Sequence, residues 1–507
     1  MNRIAFRPRA GFWISLLLAA AGAAAIVLLP WEIVGAPVLS AMFFGGLAAG
    51  LILWDSPAEE RRFVIRLFVV ALVVRLLAAL LIRWATGGGD SHTPSDAVSY
   101  DRAAWVLARN WQSPATPPEG LGPLFFIADD FYPRLLAGLY FVLGHSPVAA
   151  VVLNTVLGAS SVYIVYRLGT ILFGPVTARW AGWLAAFYTG FWWWEMLLLK
   201  DTLFLFLILL FFLSLHRLWN RLALPDRSAA DWLRAAVWGA LLLLIFSLAG
   251  EIREYVPVLL LAAAALLPVA VFLRSGRSWR WVLVAGAAAV VAVIFWRQIL
   301  TRELVPVSVD PQSMLFQITE LPVTKNVGTF LRWVLGHPPA FLQYMALASF
   351  TSALAPYAWI LPGTVPEVTQ FEPGMIAFPG MWMWYALIPF SVFGAVQAVR
   401  RSKGEAWPVV FFAAAAFLLF AFFIPRESRH RDIVMPFALL LAAEGLVFSR
   451  RWWLLGLMVW IPLTGFVAWK WHSLVPILLA AGLAAAGILV WRIRVIRRRK
   501  PLLVKER

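Results

Sequence analysis

Apolar runs near or above the roughly 18 residues that cross a hydrocarbon core recur from Ala10 to Trp491, and no other feature constrains this fold as tightly. In hydrocarbon every backbone amide and carbonyl must be satisfied by the protein itself, so only helices or a closed barrel can span. Stretches such as Val282–Phe295 and Phe411–Ile424 carry no charged side chain, whereas a soluble helix needs a polar face, and the runs do not alternate as barrel strands would. Hydrophobic residues at 62% and charged residues at 14% agree, against about 25% charged in a soluble domain. The expected fold class is all-α: a polytopic transmembrane bundle of about fourteen spans. They fall near 12–30, 33–54, 63–84, 147–173, 176–194, 199–216, 233–250, 254–273, 281–297, 376–398, 407–424, 433–449, 452–469 and 473–491.

Charge placement orients the bundle. Arg3, Arg7 and Arg9 precede the first run, and Arg61, Arg62, Arg217, Arg221, Arg274, Arg277, Arg400, Arg401, Arg450 and Arg451 fall in alternate connections. A basic tail, Arg497-Arg498-Arg499-Lys500, follows the last run. Lys and Arg then favour one side by roughly two to one, which places both termini in the cytoplasm. Counting Phe131–Leu143 as a crossing would push the basic segments after Arg217 and Arg274 outside, so this stretch reads as a helix lying in the interface. The formal charge of +17 sits at helix ends, and no basic and aromatic surface module implies a nucleic-acid partner. With no cysteine there is neither a disulfide nor a thiolate metal site.

The expected organisation is two N-terminal spans in 1–60, a transmembrane module in 61–297, a proline-rich outer connection in 298–375, C-terminal spans in 376–491 and a basic cytoplasmic tail in 492–507. Within the module, 85–130 forms an outer loop and 131–144 a juxtamembrane helix.

Charged groups at the outer ends of spans are costly and mark candidate sites. Asp90, Asp96, Tyr100 and Asp101 lie in the first outer loop, with Asp96 and Tyr100 on one helix face. Asp96 serves equally as a helix N-cap. Glu195 and Lys200-Asp201 occupy a short turn between two spans, where an ion pair of Lys200 with Asp201 or Glu195 accounts for them as well as a functional site does. Glu251, Arg253 and Glu254 share another outer turn. Arg426, Arg429, His430 and Arg431 sit on the side where arginine is disfavoured, which suits retention for an anion such as a lipid phosphate.

The order of these features resembles the GT-C class of membrane glycosyltransferases, of the protein O-mannosyltransferase and aminoarabinose-transferase type. The resemblance runs from Val64 to Leu446 and is carried by Asp96-Ala-Val-Ser-Tyr100-Asp101, two juxtamembrane helices at Ala97–Trp111 and Phe131–Gly144, Tyr166-Arg167-Leu168 with Phe173-Gly174, and Lys200-Asp201. It implies an inverting enzyme at the outer face of a bacterial plasma membrane, transferring a sugar from a polyprenyl-phosphate donor to a glycan, lipid or protein acceptor during cell-envelope polysaccharide biosynthesis. Asp96 would be the general base, with Asp90 and Asp101 as alternatives. Tyr100, Lys200, Asp201, Glu251, Arg253 and Glu254 would bind substrate, and Arg426, Arg429, His430 and Arg431 the lipid phosphate. No cofactor is required on this reading, although Asp96 with Asp201 offers oxygen ligands of the kind Mg2+ or Mn2+ takes. A lipid-linked-glycan flippase or transporter and a polysaccharide polymerase or ligase are the alternatives.

Overall fold

The computed structural model describes residues 31–85, 95–113, 130–222, 228–253, 256–275, 336, 377–401, 404–423 and 433–449. Among them every regular element is helical: a π-helical turn at Trp31–Gly35, then α1 Ala36–Asp55, α2 Arg61–Ala85, α3 Ser95–Gln112, α4 Phe131–Leu143, α5 Pro147–Phe173, α6 Pro175–Phe187 and α7 Thr189–Glu195. There follow α8 Asp201–Leu222, α9 Ala229–Ile252, α10 Val256–Ser275, α11 Ala377–Arg401, α12 Trp407–Phe423 and α13 Met435–Phe448.

Five helices among the described residues are long and apolar enough to cross a membrane: Ala36–Asp55, Arg61–Leu81, Pro147–Phe173, Asp201–Leu222 and Ala229–Ile252. They make this an integral membrane protein, and they correct the expected fourteen-span, GT-C-like bundle. The run at 176–194 is not one helix, because the chain leaves helical geometry at Tyr188, with ψ at 102°, and splits into α6 and α7 of 13 and 7 residues. Over 254–273, 407–424 and 433–449 the apolar helical stretches are shorter, at Val256–Val269, Trp407–Leu418 and Met435–Phe448. Proline interrupts the hydrogen-bond ladder at Pro268 of α10 and Pro389 of α11. The runs expected at 12–30, 281–297, 452–469 and 473–491 lie outside the described residues, as do the basic tail and nearly all of 298–375.

Helix α5 is the axis of the bundle. Its most apolar stretch is 78% buried and that of α8 67%, against 28%, 33% and 22% for α1, α2 and α9. Small residues allow this centrality: Ala149, Ala150, Gly158, Ala159 and Ser161 let neighbours approach the α5 backbone. The helix opens with Ser146 accepting from the Ala149 amide and Pro147 in the first turn, and it closes at Gly174, whose φ of 90° suits glycine. Helices α11 and α13 cross at closer range still, since a Cβ on Gly394 would meet the Leu441 carbonyl and one on Gly445 the Phe390 carbonyl. Ser391 donates across this crossing to the Ala438 carbonyl at 2.9 Å.

The bundle has two polar ends. At one, Asp55 accepts from Tyr163 at 2.7 Å and pairs with Arg167 at 3.2 Å and Arg217 at 3.0 Å, while Arg167 reaches Glu60 at 3.0 Å. At the other, α3 and α4 pack together beside the starts of α5 and α8 and the end of α9. The helices expected at 131–144 and 97–111 are present as α4 and α3.

Candidate functional site

The second polar end gathers side chains from five separate segments. Asp201, the first residue of α8, accepts a 2.8 Å hydrogen bond from Arg253 Nη2 in the residue that follows α9. Lys200, just before it, reaches Asp130 at the head of α4 at 2.6 Å. The Lys200 ammonium also stands 5.7 Å from the centre of the Tyr100 ring on α3, and Tyr100 meets Tyr132 edge-on at 5.6 Å. Tyr132 is anchored by Asn154 of α5, whose Nδ2 donates to the phenol oxygen at 3.0 Å and to the Leu197 carbonyl at 2.9 Å. Because Asn154 lies two turns into α5, roughly 10 Å below its start, the cluster is recessed.

Burial and electrostatics shape Tyr100. Desolvation raises its pKa above the ordinary tyrosine value, the carboxylates of Asp96, Asp201 and Asp130 add to the rise, and Arg253 opposes it. Its hydroxyl therefore remains a neutral donor and acceptor in a basin that, among the described residues, holds the carboxylates of Asp96, Asp130 and Asp201 and the cations Lys200 and Arg253. Tyr132 is shifted in the same direction, chiefly by burial.

Below the basin a small cavity of about 20 Å³, room for a water molecule or two, is lined by Phe191, Trp194, Glu195, Asp201, Thr202, Leu205 and Ile433. Asp201 thus belongs to both basin and cavity. Thr202 is 4% exposed, and its hydroxyl has no hydrogen-bond partner among the described residues. Glu195 is held by Arg75 of α2 at 2.6 Å, and Arg75 also donates to the carbonyls of Ala71, Ala185 and Ala186 at 3.2, 3.2 and 3.1 Å. Those last two carbonyls are freed by the break at Tyr188, so Arg75 caps the end of α6 where the helix dipole favours a cation. Trp192 Nε1 shares the Ala186 carbonyl at 3.1 Å.

The structure therefore brings Asp96, Tyr100, Lys200, Asp201 and Arg253 into one neighbourhood. Asp101 is engaged separately: Tyr140 donates to it at 2.5 Å and His145 Nε2 lies 3.1 Å away, with Trp105 stacked on the His145 ring at 4.9 Å. Glu251 forms an exposed pair with Arg134 at 4.0 Å. Asp90, Glu254, Arg426, Arg429, His430 and Arg431 lie outside the described residues. Lys200 pairs with neither Asp201 nor Glu195: it takes Asp130, while Asp201 and Glu195 take Arg253 and Arg75. Asp130 and Tyr132 stand out in the sequence only as features of the helix at 131–144, not as site residues, and Asn154 and Thr202 carry no signal there. Among the described residues no three or more His, Cys, Asp or Glu side chains are grouped to hold a metal ion.

The chain matches no known protein-family model and no curated protein. With five membrane-length helices among the described residues where about fourteen were expected, the resemblance to GT-C glycosyltransferases is overturned. The glycosyltransferase activity, its polyprenyl-phosphate donor, the envelope-polysaccharide role and the alternatives built on the same architecture are withdrawn with it.

Proposed function

We propose that this integral membrane protein binds a polar ligand carrying hydroxyl or ammonium donors in the recess between α3, α4, α8 and the end of α9. The observation that carries the reading is the double role of Asp201, paired with Arg253 at the basin and lining the cavity beside the buried hydroxyl of Thr202, unpartnered among the described residues. Lys200 and Arg253 are each matched to a carboxylate, Asp130 and Asp201. A phosphate would have to displace one of these carboxylates from its cation, whereas a hydroxyl or ammonium donor can add to a carboxylate that keeps further lone pairs for acceptance. Membrane lipids surround the recess, so the headgroup of a membrane-borne molecule is the natural source.

On this reading the recess faces outward, while both chain ends share the cytoplasmic side with the Asp55 end, where Arg61, Arg62, Arg167, Arg217 and Arg221 collect.

The test is unfolding of the purified protein in nanodiscs with added ethanolamine, inositol or inorganic phosphate. Ligands that bind only the folded state raise its midpoint by mass action. Stabilisation by ethanolamine or inositol that Asp96→Asn and Thr202→Val weaken at least about tenfold, close to 1.4 kcal/mol, supports the reading. Stabilisation by phosphate alone, or an effect untouched by both substitutions, sinks it.

A further inference from the structure

At the Asp55 end several arginines are engaged within the protein: Arg167 with Asp55 and Glu60, Arg217 with Asp55, Arg221 with Asp231, and Arg61 with the Ser56 carbonyl at 3.2 Å. Three others are placed differently. Arg62 and Arg66 near the start of α2 and Arg179 in the first turns of α6 are exposed, and among the described residues none has a carboxylate within 4.0 Å. Arg62 and Arg66 are four residues apart and share a helix face. That face continues through Val69, Val73, Leu77 and Leu80, spaced three or four apart and 47%, 46%, 54% and 61% exposed. Arg179 stands 5.3 Å over the Phe63 ring, which meets Trp183 edge-on at 6.1 Å, and Trp183 stacks on Phe187 at 5.8 Å.

This arrangement has the layout of a lipid. Guanidinium groups within two turns of a span's end lie at headgroup depth, and their planar forks suit phosphate oxygens. Beneath them the apolar stripe from Val69 to Leu80 runs roughly 17 Å along α2, about the depth of one leaflet's acyl chains. Aromatic rings beside the arginines are the usual company at an interface. We infer that this face of α2 and α6 holds an anionic phospholipid, its phosphate among Arg62, Arg66 and Arg179 and an acyl chain along the Val69–Leu80 stripe. The site is at the opposite end of the bundle from the recess and stands or falls independently of it.

The test compares the full chain in nanodiscs of phosphatidylglycerol mixed with phosphatidylcholine, reading lipid retained by native mass spectrometry after release from the disc. The wild type retains phosphatidylglycerol preferentially, and each of Arg62→Gln, Arg66→Gln and Arg179→Gln weakens retention about fivefold. Arg234→Gln, on α9 at the same end, removes equal charge from outside the face and leaves retention unchanged. Equal loss with Arg234→Gln marks diffuse attraction and overturns the site, as does unaltered retention in the triple variant. Competition by inorganic phosphate at millimolar concentration would identify a free-anion site and overturn the lipid assignment. Because the three arginines are exposed and make no carboxylate pair, loss of folding is not an expected complication, and an unchanged unfolding midpoint in phosphatidylcholine alone verifies it.

Discussion

Neutralising one member of the Arg75–Glu195 pair is the sharpest perturbation the fold offers. The pair is buried, with side chains 1% and 5% exposed and 2.6 Å between Nε and Oε2. Removing one partner of such a pair typically costs about 3–5 kcal/mol, because the other charge is left uncompensated in a poorly polarisable surrounding. In Glu195→Gln the guanidinium keeps the carbonyls of Ala71, Ala185 and Ala186, so the lower figure applies: about 3 kcal/mol, or roughly 150-fold in the folded-to-unfolded ratio. Arg75→Met strands the carboxylate and also deprives the end of α6 of a donor, since Trp192 serves only Ala186; about 4 kcal/mol follows. The double variant removes both charges and is expected to cost less than the sum, leaving a coupling of about 2–3 kcal/mol. Denaturant titration in detergent micelles, with helicity as the readout, completes the cycle. Single variants within about 0.5 kcal/mol of wild type, or strictly additive costs, would refute the assignment of a buried, mutually dependent pair.

Three further outcomes follow from specific contacts. Gly158→Ala places a Cβ against the Glu195 carboxylate, and its cost of about 2 kcal/mol in the same titration should shrink in a Glu195→Ala background. Gly445→Ala drives a Cβ into the Phe390 carbonyl, so the α11–α13 crossing should open at a cost of about 2–3 kcal/mol, read as a lowered unfolding midpoint. Tyr100 holds its proton more tightly folded than unfolded. From near the ordinary tyrosine value of 10.0 upward, the unfolded chain releases a proton that the native state keeps, and stability falls as pH rises. Tyr100→Phe should flatten that alkaline decline, and an identical decline in both proteins would contradict the burial of this phenol.

Much of the helical framework could be read directly from hydropathy. The runs near 33–54, 63–84, 147–173, 199–216 and 233–250 correspond to α1, α2, α5, α8 and α9. The short apolar run at 131–143 was readable as a separate helix, and α4 is that helix. The break at Tyr188 was not legible, because Phe187, Tyr188 and Phe191 keep the run apolar while the geometry depends on a partner more than a hundred residues away: Arg75, which takes the carbonyls the break releases. Partner choice was hidden for the same reason. Lys200 and Asp201 are adjacent, so at the start of a helix their side chains diverge by about 100° and each meets a different neighbour. Tyr100 and Asp96 were identifiable as one helix face, but the depth of the recess depends on Asn154 holding Tyr132, which no local pattern announces.

The pairing at the α6–α7 break also has an electrical consequence. A charge carried across a membrane potential exchanges about 2.3 kcal/mol per 100 mV with the field. Arg75 alone inside α2 would make any shift of that helix sensitive to voltage. Locked to Glu195, it forms a neutral unit whose displacement transfers no net charge, so rearrangements of the bundle around the cavity can proceed without the membrane potential pulling on them.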